Sequence, residues 1–197
     1  MRKCRDRFWP TAAGHEGQES AKSRQPYLEK VTSTDSRDPR SGMSNLLSIA
    51  RHKSKYSSGF YPTFAIDGIP LEVWLPRHNR EAELHLVAAH SGLHSDDDTC
   101  LVWDRIYSTA PGWKTLVPLL VCPDDLDLTC TVIVAEQHAD EHHVHWYRFG
   151  LLKDLITLQS PAVDWYDSIP AQTFERFQFQ STLDMFRNQE NIKMCWD

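Results

Sequence analysis

With 197 residues and a 41% hydrophobic content, the chain has room and apolar mass for one ordinary domain, with or without a tail. Its formal charge of −6 and pI near 5.9 argue against a general phosphate-backbone binder, which needs a basic footprint. No apolar run approaches the roughly 18–20 residues of a membrane-spanning helix, and no secretory leader pattern opens the chain. The expected location is therefore the cytoplasm, with neither a nucleic-acid nor a membrane partner.

Residues 1–42 differ from the rest. They hold 9 Lys+Arg and 6 Asp+Glu, a net of +3, and are dense in Ser, Arg, Gly, Asp and Pro. Such a segment buries too little apolar area to offset the entropy of ordering it. The remaining 12 basic and 21 acidic residues give residues 43–197 a net charge of −9. The segment reads either as a disordered arm or as the product of an early start, with Met43 the native beginning; the second is favoured. Ser44 or Asn45 is expected to cap a short helix carrying Leu46, Leu47 and Ile49. Residues 43–197 are expected to form a single α+β domain, a mainly antiparallel β-sheet with a few short helices.

Along that domain, residues 62–66 and 69–74 flank Asp67-Gly68, a favoured pair for a two-residue type I′ hairpin turn. Pro70 cannot donate to a ladder, so the second strand is an edge strand or begins after it. Residues 76–80 read as a break, and 83–90 as a strand, with a short helix as the alternative. Residues 99–107 carry Val102, Trp103 and Ile106 at helical spacing behind Asp98 or Thr99 as a cap; a strand is nearly as compatible.

The longest apolar runs follow, at 116–122 and 128–135, joined by the acidic loop Cys122-Pro123-Asp124-Asp125-Leu126-Asp127. Thr131, Val132, Ile133 and Val134 are β-branched, and the second run suits a central strand covered on both faces. A hairpin pairing 128–136 with 142–149 through a polar turn is the firmest structural expectation. Residues 173–179 are expected to be extended, with Phe174, Phe177 and Phe179 inward. Gln180 or Ser181 then opens a terminal helix bearing Leu183 and Phe186.

Two constellations can carry chemistry. In the stretch 138–145, His143 and His145 point to one face of a strand at i, i+2. With Asp140 or Glu141 as a third ligand they can present a metal site. In the acidic loop, Asp124, Asp125 and Asp127 can form a binding patch for a basic partner, hold a hard cation, or serve turn chemistry after Pro123. The five cysteines (Cys4, Cys100, Cys122, Cys130, Cys195) are odd in number and lack C-x-x-C spacing, which disfavours a secreted disulfide scaffold. Cys122 and Cys130 sit in apolar runs, where free cysteine acts as a small hydrophobe. P-loop, G-x-G-x-x-G, G-x-S-x-G and H-E-x-x-H patterns are all missing, and nothing implies a cofactor.

The segment LVPLLVCPDDLDLTCTVIVAEQ, followed by a polar turn and HWYRFG, resembles a pattern in small uncharacterised bacterial proteins. Some of these are similar to immunity proteins encoded beside polymorphic toxins. The likeness spans residues 60–186 and lies in structural rather than catalytic positions. It implies a cytosolic acidic protein that binds and blocks a basic toxin domain without catalysis. The alternative expectation is a small metal-dependent enzyme using His143, His145 and Asp140 together with the acidic loop.

Overall fold

The computed structural model describes residues 44–57, 59–82, 84–194 and 197. The two readings of residues 1–42 fall outside the described residues.

The first strand, β1 (Leu47–His52), pairs antiparallel with β2 (Tyr61–Ile66). It replaces the short helix expected after Ser44. The pairing registers Leu47 with Ile66 and Ile49 with Phe64, and a helix would leave those ladder groups unpaired. Asp67-Gly68 turns the chain as anticipated, with φ of 50° and 79°. Asp67 also fixes the start of β1, since its carboxylate accepts the Leu46 N–H at 2.8 Å and the Asn45 amide at 2.9 Å.

The strand after that turn, β3 (Ile69–Pro70), lasts only two residues before α1 (Leu71–His78) begins. Pro70 ends the ladder and stands at the N-cap with φ −51°. Leu71, Trp74 and Leu75 are buried at i, i+3 and i+4, so helical periodicity overrides the alternation read from the sequence. Pro76 lies inside this helix rather than breaking it.

Strand β4 (Val87–Ala88) is much shorter than expected, and a 3-10 turn, Ala89–Ser91, follows it. Helix α2 (Asp96–Tyr107) settles the ambiguity at 99–107 in favour of helix. Its cap is Ser95, whose hydroxyl accepts the Asp98 N–H.

The main sheet contains β5 (Lys114–Val121), β6 (Val132–Ala139), β7 (His143–Leu152), β8 (Val163–Trp165) and β9 (Gln172–Glu175), with β4 at one edge. The order is β4-β5-β6-β7, all antiparallel. Both β8 and β9 then share the far edge of β7: β9 takes its His143–Trp146 end and β8 its Gly150–Leu152 end. Gly150 is required where β8 crosses, because a Cβ there would meet Asp164 O and Val163 Cγ1 at 2.6 Å. The smaller sheet β1-β2-β3 joins the main one at Asn45, whose N–H donates to Thr173 O at 2.7 Å.

The chain closes on α3 (Arg176–Glu190). The expected extended segment at 173–179 ends early, because Glu175 caps this helix by accepting the Phe177 and Gln178 N–H groups. Phe174 and Phe179 are buried, but Phe177 is 77% exposed. The inward face of α3 instead repeats helically through Phe179, Leu183 and Phe186.

The core forms on both faces of β6. Ile133 and Ala135 join Trp146, Phe149, Phe64, Trp103 and Phe186 on one side. Val132 and Val134 join Leu116, Val121 and Leu152 on the other. A strand walled by apolar layers on both faces reads as a continuous hydrophobic run, and β6 is such a strand. The architecture is α+β, with mostly antiparallel sheets and three α-helices among the described residues. No helix among those residues is long and apolar enough to cross a membrane.

Candidate functional site

The acidic loop and the histidine-rich turn lie at opposite ends of β6. At about 3.3 Å per residue the eight-residue strand holds them more than about 20 Å apart. They are therefore two separate sites, not one.

The loop between β5 and β6 is closed at its base, where the Cys122 N–H donates to Thr131 O at 3.0 Å. Inside it, Asp127 serves turn chemistry. Its Oδ1 accepts the Thr129 N–H at 2.9 Å and the Cys130 N–H at 3.3 Å. Those bonds, the Thr129 N–H first, hold its carboxyl below the usual range. They also keep residues 128–131 out of the ladder, so β6 starts at Val132 rather than at 128. Cys122 is consequently half-buried and Cys130 exposed, and neither fills the core as expected of a small hydrophobe. Cys122, Asp125 and Cys130 bring one ligand atom each within 4.8 Å of one another.

Asp124 and Asp125 are exposed on this loop. A second acidic segment packs beside them. The His94 N–H donates to Leu126 O at 3.0 Å, which lays the start of α2 against the loop. Asp96, Asp97 and Asp98 form the first turn of that helix, where its dipole favours negative charge. Burial raises the Asp98 carboxyl above its ordinary range, and the Asp127 charge adds to that. Two acidic stretches some 26 residues apart in sequence thus form one corner with six carboxylates.

At the other end of β6, the turn into β7 is built by Asp140. Its Oδ1 accepts the His142 and His143 N–H groups, each at 2.7 Å, and its own N–H donates to His143 O. Strand alternation then puts His143 and His145 on the same face. His145 Nε2 lies 3.1 Å from Asp140 Oδ2, and its Nδ1 lies 3.0 Å from the Thr173 hydroxyl on β9. His143 Nδ1 is 3.7 Å from Asp140 Oδ1. Although partial burial opposes it, the His142 N–H and the His145 ring hold the Asp140 carboxyl at about 2. Asp140, His143 and His145 thus converge as anticipated. Glu141, the other acid considered, is exposed and is not in this group.

The same face continues inward as an ionic cluster that the sequence reading missed. Glu136 is buried and accepts Arg148 Nε at 3.0 Å and Nη2 at 2.7 Å, while Lys114 Nζ stands 2.5 Å away. Burial would raise this carboxyl, but Arg148 and Lys114 outweigh it and hold it below its ordinary value. His138, cross-strand from both Lys114 and His145, is edge-on to Tyr147 at 4.7 Å. A signal was available in Glu136 and His138, which flank Gln137 and share one face at the end of an apolar strand. The register shift between Glu136 and Gln137 displaces their partners on β7 and hides it.

No family model matches this chain, and no curated protein or solved structure matches it.

Proposed function

We propose that this chain is a non-enzymatic protein-binding domain whose acidic corner receives a basic partner, in the manner of an immunity protein that neutralises a toxin domain. The observation that carries the reading is the union of Asp96, Asp97 and Asp98 with Asp124, Asp125 and Asp127 in one corner of a domain already at net −9. Clustered carboxylates of one sign raise the local potential, steer a cationic partner and suppress acidic ones. Asp127 shapes the loop, while Asp124 and Asp125 on the loop and Asp96 and Asp97 on the helix are exposed. A basic nuclease-like toxin surface has the complementary charge.

The test is titration of the purified chain with the polypeptide encoded by the neighbouring gene, followed by calorimetry, together with co-expression of the two. The reading expects a one-to-one complex, weakened as salt rises, and rescue of cell growth. Absence of a complex at low salt, or a complex without rescue, would contradict the inhibitory role.

A further inference from the structure

We propose that Asp140, His143 and His145 form a binding site for one divalent transition-metal ion of the zinc class, at the end of the sheet opposite the acidic corner. The inference stands apart from the protein-binding reading and shares no residue with it.

Three features of the turn prepare it for a metal. The first is spacing. A zinc ion with bonds of roughly 2.0–2.2 Å to nitrogen and oxygen sets tetrahedral donors about 3.3 Å apart. The donor pair on the free carboxylate oxygen is 3.1 Å, His145 Nε2 with Asp140 Oδ2, and His143 Nδ1 approaches the same carboxylate, 3.7 Å from its Oδ1. All three residues bring a ligand atom within 4.8 Å of the others. Full closure on one ion calls for a rotation of the His143 ring, which is partly exposed.

The second is anchoring of the carboxylate. The two backbone N–H groups at 2.7 Å occupy Oδ1 from the turn side and hold the group in place, leaving Oδ2 directed at His145. The third is a partner for the non-ligating nitrogen of a histidine. Metal-bound imidazoles are typically oriented by a hydrogen bond at their other ring nitrogen. Thr173 Oγ1 sits 3.0 Å from His145 Nδ1 and fills that role from a neighbouring strand. On metal binding the proton that His145 Nε2 shares with Asp140 leaves Nε2. It passes to solvent, or Nδ1 carries it as a donor to the Thr173 oxygen.

Two imidazoles and one carboxylate favour a borderline ion such as zinc over calcium or magnesium, which prefer all-oxygen sets. Three protein ligands leave a fourth position for solvent or a partner's side chain. The site would also tie the β6–β7 turn to the start of β7, beside α3, where the Arg176 N–H already donates to His142 O at 2.8 Å.

The experiment is zinc titration of the full chain by calorimetry against a competing chelator. It is done in a Cys122→Ser/Cys130→Ser background, so that the thiols at the other end of β6 do not contribute. One equivalent of zinc is expected at the histidine site, with a rise in melting temperature. His143→Ala and His145→Ala should each weaken it by about 100-fold or more. Asp140→Asn, which can still accept the turn's N–H groups, should weaken it less than a lost imidazole. Thr173→Val should weaken it by about 10-fold, the lower end for an orienting partner. Melting temperatures without zinc establish that each variant is folded. Failure of the background protein to bind zinc, or equal affinity in the His143→Ala/His145→Ala double variant, would overturn the proposal.

Discussion

His90 is the most sensitive acid probe in the core. It is fully buried between Phe64 and Trp103, with ring centroids at 4.9 and 5.1 Å, and neither ring nitrogen has a hydrogen-bond partner among the described residues. Burial pushes its pKa down from 6.5 to about 3. The folded state therefore refuses a proton that the unfolded chain accepts. Stability is intact above pH 6.5 and falls as the pH drops from there towards 3. At pH 4.5 the unfolded histidine is protonated and the folded one is not, which costs about 3 kcal/mol at about 1.4 kcal/mol per unit. His90→Leu, of similar volume, removes this cost. Urea unfolding at pH 8 and pH 4.5 should show the parent losing about 3 kcal/mol more than the variant between the two conditions. The comparison cancels groups common to both proteins. Glu72 is one of these: burial raises it to about 7, so it acts in the opposite direction and favours the fold as the pH falls. Equal pH dependence in parent and variant would refute the reasoning.

Two further substitutions test the sheet. Gln137 is buried and satisfies three groups at once, donating to Ile106 O and Ser108 O and accepting the Trp146 indole N–H at 3.0 Å. Gln137→Leu should cost about 2–4 kcal/mol in chemical unfolding, since it strands those groups in the core; a neutral result would mean they find other partners. Gly150→Ala should cost about 1–3 kcal/mol and loosen β8, read as faster amide exchange at residues 163–165. Unchanged exchange there would contradict the close approach of β8 to Gly150.

The parts of this fold legible in sequence were those fixed by local chemistry. The continuous β-branched run announced β6 because apolar layers cover both of its faces. Asp67-Gly68 announced a turn because both residues need positive φ. His143 and His145 were placed on one face by strand alternation alone. Two of the failures arose where one residue served two elements. Pro70 ended a strand and also started a helix. Glu175 capped α3 and turned Phe177 out into solvent. The acidic corner was half legible, as two separate Asp-rich stretches. Their union depends on the bond from His94 to Leu126, and the support of His145 depends on Thr173 28 residues away. Neither long-range contact leaves a trace in local spacing.

The binding account stands or falls on the charge of the acidic corner. Asp96→Lys, Asp124→Lys and Asp125→Lys, combined in one variant, reverse three exposed carboxylates drawn from both segments and spare the turn-forming Asp127. Association with the product of the neighbouring gene should slow by about 10-fold or more at low salt, and the difference from the parent should shrink as salt rises. An unchanged association rate in a folded variant would contradict the central claim.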